Sequence, residues 1–242
     1  KHRREGDTEI YFLSNQKDAA RNETISFRVT GKVPELWWPE TGRMDLEPPF
    51  AAAEGRVSVP LDFDIHTSLF VVFRKAADIQ ERKVPERKPP VVLAQIDGPW
   101  TVAFPFGEET FQQLACWTEH ENDNVKYFSG EAVYRTVFTA PAAREGVVVH
   151  LGEVNDIAVV RLNGRELGTL WMHPYKIDIS AALKDGENHL EITVVNPWKN
   201  RLAGDARPDV KSAGTFTSQK VIKADANLKH AGLLGPVKIM VE

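Results

Sequence analysis

The fold is decided by residues 151–205, which read LGEVNDIAVVRLNGRELGTLWMHPYKIDISAALKDGENHLEITVVNPWKNRLAGD. An apolar run leads into Asn163 and Gly164, a pair that tolerates the two positive φ angles of a type I′ turn, and the chain returns through residues 165–170. Residues 189–194 alternate between polar and apolar side chains, which predicts a strand with one buried and one wet face. The stretch therefore predicts antiparallel sheet and argues against helix.

Composition and charge exclude several classes of function. The 242 residues carry 30 basic and 34 acidic side chains, and no basic stripe suits a phosphate backbone, so we expect no nucleic-acid partner. No apolar run approaches the ~18 residues of a membrane helix, so we expect no membrane partner. The single cysteine, Cys116, permits no internal disulfide and is expected to be a small buried hydrophobe. The charged opening at Lys1 lacks an initiator methionine, so we expect the chain to be cut from a longer one.

A change of composition divides the chain into two halves. Residues 76–93 combine charged side chains with three prolines and have no helical or strand period, which predicts an extended linker. Before it, residues 1–75 read as a small antiparallel β-sandwich, in which the unbroken apolar run 69–73 predicts a strand covered on both faces. After it, residues 94–242 form a second β-domain.

Many motifs of this second domain look like the galactose-binding-like jelly roll, the sugar-binding domain of family 2 glycoside hydrolases. They are Gly152-Glu153-Val154, Asp156-Ile157-Ala158, Leu162-Asn163-Gly164, Leu167-Gly168, Trp171, Pro174-Tyr175, Asp178-Ile179, Leu183, Gly186-Glu187-Asn188 and Val195-Asn196. The resemblance implies an all-β chain in which a small sandwich precedes a jelly-roll sandwich.

The second domain carries another set of motifs. They are Tyr127-Phe128-Ser129-Gly130 ahead of Tyr134-Arg135, Trp198-Lys199-Asn200-Arg201-Leu202 with Gly204-Asp205, and Gly232-Leu233-Leu234-Gly235-Pro236-Val237. These motifs resemble the C-terminal part of bacterial α-L-rhamnosidases of glycoside hydrolase family 106. This resemblance implies that the parent protein cleaves α-L-rhamnosyl linkages, that its catalytic barrel lies elsewhere in the same polypeptide, and that it is periplasmic or secreted in a bacterium.

No catalytic residue is predicted in the chain itself. Glycoside hydrolysis normally uses two carboxylates across the scissile bond, and in the family resembled these belong to a (β/α)₈ barrel of about 250 residues. The chain shows almost no long helical period, and its paired carboxylates, Glu108 with Glu109 and Glu119 with Glu121, lie on loops. We therefore expect non-catalytic β-domains that support the barrel. An independent carbohydrate-binding module and a purely structural scaffold remain alternatives.

Two groups of residues are candidates for binding a rhamnose-containing glycan, because sugar rings stack on aromatic side chains while their hydroxyls hydrogen-bond to polar neighbours. They are Trp171, His173 and Tyr175, followed by Trp198, Asn200 and Arg201. Core packing is the competing interpretation of each tryptophan. Exposed Trp171 and Trp198 would favour the binding module, whereas two buried rings would favour the scaffold.

Two further clusters invite structural interpretations. The loop 117–124 gathers oxygen ligands, and Glu119, Glu121 and Asp123 are candidates for a structural calcium ion, although the spaced calcium-loop pattern is absent. No cofactor is otherwise required. The planar guanidinium of Arg201 is expected to tie loops together by bridging Asp156 or Asp205.

Overall fold

The computed structural model describes residues 1–83, 89–140, 145–211, 214–219 and 221–241. The chain divides into two compact units, Lys1–Lys88 and Pro89–Glu242. Each unit has its own hydrophobic core. Among the described residues, every helix is too short or too polar to cross a bilayer.

The described residues of the first unit form nine antiparallel strands. They are β1 (His2–Glu5), β2 (Thr8–Ser14), β3 (Arg21–Phe27), β4 (Lys32–Trp37), β5 (Met44–Asp45), β6 (Phe50–Ala53), β7 (Arg56–Phe63), β8 (Ser68–Ala76) and β9 (Glu81–Arg82). The strands build a five-stranded sheet of order β1-β2-β8-β4-β5 and a four-stranded sheet of order β3-β7-β6-β9.

The core of the first unit lies between these two sheets. Strand β8 pairs with β2 on one side and β4 on the other, and Val71, Val72 and Phe73 are all buried. From the other sheet, Val57 and Val59 of β7 join the same core as Val71 and Phe73. The unbroken apolar run that predicted a doubly covered strand is therefore the central strand of this sandwich.

The described residues of the second unit form twelve strands and three short helices. The strands are β10 (Val91–Ile96), β11 (Trp100–Phe104), β12 (Gly107–Phe111), β13 (Glu131–Ala140), β14 (Val147–His150), β15 (Glu153–Asn155), β16 (Ile157–Leu162), β17 (Arg165–Leu170), β18 (Lys176–Asp178), β19 (Gly186–Val195), β20 (Gly232–Gly235) and β21 (Val237–Val241). The helices are a 3₁₀ turn (Trp117–Glu119), α1 (Asp123–Lys126) and α2 (Lys199–Asp205).

Two sheets of the second unit enclose its core. The six-stranded sheet has the order β12-β11-β13-β19-β16-β17, and the four-stranded sheet has the order β10-β21-β14-β18. A third, two-stranded sheet pairs β15 with β20. The inward faces of both large sheets meet in one cluster, to which Tyr134 and Ile192 contribute from one sheet and Val149 and Ile239 from the other. The predicted all-β fold, a small sandwich followed by a larger β-sandwich, is confirmed.

The hairpin that decides the fold forms as the sequence predicts. Asn163 and Gly164 connect β16 to β17 with φ angles of 53° and 81°, the double positive φ that a type I′ turn requires. The Asn163 side chain is fully engaged: Nδ2 donates to Ala182 O and Asn188 Oδ1, both at 2.8 Å, and Oδ1 accepts from the His189 N–H at 3.0 Å. The turn is thereby anchored to the neighbouring strand and loop.

One local expectation differs from the structure. Within the predicted linker 76–93, Glu81–Arg82 forms β9 beside β6 and Val91–Ile96 forms β10 beside β21, because both segments complete the edge of a sheet. Residues 84–88 of that linker lie outside the described residues.

Candidate functional site

The strand register brings the two predicted sugar-binding segments to the same end of the six-stranded sheet. Ile157, the first residue of β16, pairs with Val195 of β19, and the next residue of β16 pairs with Leu170 of β17. Trp171 directly follows β17, and Trp198 lies three residues beyond the end of β19. We call this end of the sheet, where β16 begins and β17 and β19 finish, the loop end.

Both tryptophans at the loop end are exposed to solvent. Trp171 is 58% exposed and Trp198 is 61% exposed, and Ile157 between them is also partly exposed. A large aromatic ring costs free energy when it faces water, and three apolar side chains at one end of a sheet are typical of an interaction surface. The exposed rings supply an apolar platform.

A chain of polar contacts runs beside these rings. The Tyr175 hydroxyl donates to the backbone O of Asp156 at 2.7 Å, and the Asp156 carboxylate forms an ion pair with Lys229 Nζ. The Lys229 side chain is partly exposed, so its remaining donors face water, whereas Asp156 Oδ2 is buried and has no hydrogen-bond partner. Burial, with the Asp156 charge as a second cause, raises the pKa of the Tyr175 hydroxyl, which therefore stays protonated as a donor.

The Lys229 backbone is held in place by Asn200 of helix α2. Asn200 Nδ2 donates to Lys229 O at 2.6 Å, and Asn200 Oδ1 accepts from the Lys229 N–H at 2.8 Å. Asn200 is only 2% exposed, so these two bonds form a buried clasp on the end of the long loop 206–230. The clasp fixes where the Lys229 ammonium lies relative to Asp156.

A second tether holds the beginning of the same loop. Arg201 Nε lies 3.0 Å from Asp205 Oδ1, while Asp205 Oδ2 accepts from the Thr215 hydroxyl at 2.6 Å and the Thr215 N–H at 2.9 Å. Burial works to raise the pKa of the Asp205 carboxyl group, but these hydrogen bonds and the Arg201 charge together hold that pKa below its ordinary value. Asp205 is thus an ionised anchor for the loop.

A buried aromatic network supports the loop end from below. Trp117 Nε1 donates to the Tyr134 hydroxyl at 2.6 Å, and the same hydroxyl accepts from the Leu233 N–H at 3.1 Å. The Trp117 and Tyr134 rings are stacked, with centroids 6.2 Å apart. Burial strongly raises the pKa of the Tyr134 hydroxyl, despite the two hydrogen bonds that it accepts. This network packs β20 against the sheet that carries the site.

The predicted sugar-binding residues separate into two groups in the structure. Trp171 and Trp198 are exposed, and His173 is half-buried with its ring edge-on to Tyr175 at 5.1 Å. Tyr175 is buried because its ring packs into the core, and Asn200 is buried because its side-chain amide hydrogen-bonds to the backbone of Lys229. The structure therefore places these two residues in support of the site rather than on its surface.

Arg201 also supports the loop, as the sequence predicted for a bridging guanidinium. Its partner is Asp205, one helical turn away on the same helix, and Asp156 pairs with Lys229 instead. The Arg201 backbone N–H additionally donates to Ser129 Oγ at 3.3 Å. Side chains that reach solvent at the loop end include those of Trp171, Trp198, Ile157, Lys229 and, in part, Arg201.

The predicted calcium ligands are not brought together. Among the residues that the structure describes, no three His, Cys, Asp or Glu side chains are close enough to hold a metal ion. Glu119 and Glu121 are exposed, and Asp123 Oδ2 accepts from Arg207 NH1 at 2.5 Å at the start of helix α1. These three carboxylates diverge because the loop breaks into two separate helical turns between them.

The other carboxylate pair lies in a polar surface environment. Glu108 and Glu109 follow one another on β12 and so point to opposite sides of that strand. Glu108 lies 3.9 Å from Arg135, while Glu109 accepts a hydrogen bond from Asn122 Nδ2 at 3.0 Å. Each carboxylate therefore has its own partner, and the two do not face a shared cleft.

Asp156 and Lys229 were missed as site residues by sequence reasoning. Asp156 directly precedes β16, so the predicted hairpin could have placed it at the loop end beside the residue that follows β17. Lys229 lies 73 positions away in a loop without period or motif. Nothing local to Lys229 indicates its partner.

Comparison with known protein families shows which types of domain the two units resemble. Residues 113–228 match the family model described as the galactose-binding-like domain of glycosyl hydrolase family 2. Residues 1–47 match the family 106 model described as α-L-rhamnosidase. The two resemblances drawn from the sequence motifs are therefore confirmed.

A solved structure makes the relationship more specific. The rhamnosidase from Novosphingobium sp. PP1Y is 40% identical to this chain, with a TM-score of 0.89 over 100% of it. A Formosa agariphila protein provisionally named a β-glucuronidase is 36% identical over 184 residues, which are 63% of this chain. The chain spans only 23% of the rhamnosidase and 16% of the Formosa protein. It is rhamnosidase-like and corresponds to a small part of such enzymes.

Proposed function

We propose that this chain is the non-catalytic β-domain pair of a rhamnosidase-like glycoside hydrolase, and that its second domain binds carbohydrate at the loop end. The parent would cleave α-L-rhamnosyl linkages with carboxylates of a catalytic barrel in the same polypeptide. Its location would be periplasmic or secreted, which the resemblance to bacterial rhamnosidases supports. The similarity to the Novosphingobium rhamnosidase over the whole of this chain supports the choice of parent.

The single observation that carries carbohydrate binding is the exposure of Trp171 and Trp198 at one end of the same sheet. Pyranose rings present an apolar C–H face that an aromatic ring can cover. An exposed tryptophan therefore offers the largest apolar surface on which a sugar ring can stack. A chain that used these rings only for internal packing would bury them, as it does Trp100 and Trp117.

The polar groups beside the rings suit the hydroxyls of a sugar. The Lys229 ammonium has three donors and uses one for Asp156 Oδ1, so it keeps donors for the hydroxyl group of a sugar. The Asn200 clasp and the Tyr175 hydrogen bond hold this pair in position before a ligand arrives. Preorganised polar groups lose less entropy on binding.

The expected affinity is modest. One stacked ring with two or three solvent-exposed hydrogen bonds corresponds to about 4 kcal/mol, which is a dissociation constant near the millimolar range. Such a site would steer a glycan chain toward the catalytic barrel rather than hold a ligand for long. Weak binding in the accessory domain is compatible with catalysis in the barrel.

The test is a titration of the chain with methyl α-L-rhamnopyranoside and, separately, galactose, followed by tryptophan fluorescence and by amide NMR shifts. Hydrolysis of an aryl α-L-rhamnoside is assayed in parallel. We expect saturable binding, with the largest shifts near Trp171 and Trp198, and no turnover. Turnover by the purified chain would overturn the non-catalytic assignment.

Matched variants make the titration decisive. Trp171→Ala and Trp198→Ala should each abolish or weaken binding by at least tenfold, while Trp198→Phe should retain part of it because the ring face remains. Trp38→Phe, in the first unit, serves as a fluorescence control that leaves the loop end intact. If both alanine variants bound the sugar with unchanged affinity, the loop end would not be the binding site, and the structural scaffold would be left as the function of this domain.

A further inference from the structure

A second surface of the second unit, remote from the loop end along the strands, has the features of a ligand site. A groove of about 510 Å³ lies on the outward face of the six-stranded sheet, and its volume is within the range of small-molecule sites. The wall of this groove nearest the Asn163-Gly164 turn is lined by Pro99, Val137, Gly164 and His189. The groove thus begins near the Asn163-Gly164 turn, at the opposite end of β16 from Trp171 and Trp198.

One row of side chains crosses the sheet, and four of its members, Thr101, Arg135, Arg161 and Glu191, line the groove. The register aligns Thr101 with Arg135, Arg135 with Glu191, Glu191 with Arg161, and Arg161 with Glu166. We call these five residues the crossing row. Side chains directly opposite on adjacent strands are neighbours, so the row presents alternating donors and acceptors along a straight line.

The contacts within the crossing row leave hydrogen-bonding capacity unused. Arg135 Nε donates to Glu191 Oε2 at 2.9 Å, and this is the one side-chain hydrogen bond of Arg135 among the described residues. The Arg161 guanidinium donates two hydrogen bonds to Glu166, and its NH1 lies 3.7 Å from Glu191 Oε1. A guanidinium has five N–H donors, so each arginine keeps donors for a ligand.

The charges of the row exclude an anionic ligand. Glu191 lies at the centre with an arginine on each side, and Glu108 and Glu166 lie at the outer contacts of the two arginines. A carboxylate or sulfate in the groove would meet Glu191 and compete with it for both guanidinium groups. The two arginines and three glutamates leave a net charge of −1, and their paired donors and acceptors match the hydroxyls of a neutral polyol, each of which donates and accepts.

One apolar side chain stands out in this polar setting. Val137 pairs with His189 in the register and is 51% exposed, directly beside the crossing row. A methyl group of a ligand placed on Val137 would cover apolar surface of the groove that now faces water, which is favourable. Among sugars, a 6-deoxyhexose carries such a methyl group beside its hydroxyls.

From these observations we infer that the groove is a second carbohydrate site, which binds an uncharged oligosaccharide through the crossing row and contacts a 6-deoxyhexose methyl group with Val137. The inference does not depend on the loop-end site, because the two surfaces share no residue. It gives the domain two points of attachment to one glycan chain.

The test compares methyl α-L-rhamnopyranoside with methyl α-L-mannopyranoside, which differ only by the 6-hydroxyl group. Amide NMR shifts of the intact 242-residue chain locate the binding. We expect both ligands to shift the amides of Thr101, Val137 and His189 at millimolar concentrations. The rhamnoside should bind about fourfold more tightly, the worth of one buried methylene-sized group.

Four variants separate the contributions. Arg161→Gln should weaken groove binding about tenfold by removing charged donors, and Val137→Thr should erase the preference for the rhamnoside. Glu131→Gln, on an exposed residue at the other end of β13, should change neither. Trp171→Ala should leave groove binding intact, so that failure of the loop-end site and failure of the groove are distinguishable.

Two outcomes would overturn the inference. Shifts confined to loop-end amides would remove the groove as a site. Equal binding of glucuronate, or unchanged rhamnoside affinity in Arg161→Gln, would show that the crossing row is a surface ion-pair ladder and nothing more.

Discussion

The second unit contains two pairs of tryptophans that the chain treats in opposite ways. Trp100 and Trp117 are completely buried, and each of their rings packs against Tyr134. Trp171 and Trp198 are more than half exposed at the loop end. The residue type is the same, so the difference lies in what each ring does: the buried pair stabilises the fold, and the exposed pair is free for a ligand.

The largest expected effect is on the buried pair. Trp117→Ala should lower the free energy of unfolding by about 3 to 5 kcal/mol, because it empties a core site and removes the hydrogen bond to Tyr134. Urea denaturation measures the change. The control is Trp198→Ala. If Trp117→Ala lowered the free energy of unfolding by less than about 1 kcal/mol, Trp117 would resemble the exposed pair and the comparison would fail.

Gly232→Ala sharpens the comparison from the backbone side. Gly232 has φ of +99°, and an added Cβ would lie 2.8 Å from both Trp117 Nε1 and the Tyr134 hydroxyl. We expect a loss of about 2 to 4 kcal/mol from the combined backbone strain and crowding.

The control is Gly186→Ala, which has φ of +80° but open space around the added Cβ. It should cost about 1 to 2 kcal/mol from the backbone alone. If the two variants lose the same stability in denaturant melts, the buried network is not crowded at Gly232.

The support of the exposed pair can be weakened without touching either ring. Asn200→Ala removes both hydrogen bonds to the Lys229 backbone and should cost about 1 to 2 kcal/mol. Hydrogen exchange at the Lys229 amide should become faster, and sugar affinity at the loop end should fall with it. Asn155→Ala, whose amide bonds to Glu153 on the surface, is the matched control. An unchanged exchange rate would show that the clasp does not hold the loop.

Asp205 makes the same loop sensitive to acid. Its pKa in the folded chain lies below the ordinary 3.8, so its contribution to stability is complete above about pH 4 and disappears as the pH falls through the lowered value. Exchange at the Thr215 amide, followed against pH, measures this effect. In Asp205→Asn the acid-dependent step should be absent; its persistence would assign the step to another carboxyl group.

The smallest expected effect on stability belongs to the exposed pair itself. Trp171→Ala should change the free energy of unfolding by less than about 0.5 kcal/mol, because the ring is 58% exposed. Thermal denaturation checks this against the unmodified chain. A loss of several kcal/mol would mean that the ring packs internally, and the exposed pair would no longer be distinct from the buried one.

Local signals predicted most of the fold. The Asn163-Gly164 turn needs positive φ angles that few pairs tolerate, and alternation along 189–194 sets which face is buried; both depend on neighbours in sequence. The candidate site was predicted in part, because tryptophans with polar neighbours indicated Trp171 and Trp198. The type of a residue does not indicate whether it is buried, which is why Asn200 and Tyr175 were included among the candidates for binding a glycan.

Contacts between distant segments explain the rest. The Asp156–Lys229 pair joins residues 73 positions apart, and the crossing row exists only once five strands are aligned. Neither has a periodic or motif-like signal in any single segment. Such arrangements follow from topology, and topology becomes visible only in three dimensions.

The engaged side chain of Asn163 also bears on how the protein ages. Asn-Gly pairs lose their amide most readily, because the glycine nitrogen can attack the asparagine side chain when both are free to move. Here Nδ2 donates to Ala182 O and Asn188 Oδ1, and Oδ1 accepts from the His189 N–H, which holds the amide away from that attack. The folded chain should therefore resist deamidation at its most susceptible pair, while unfolded molecules accumulate isoaspartate there.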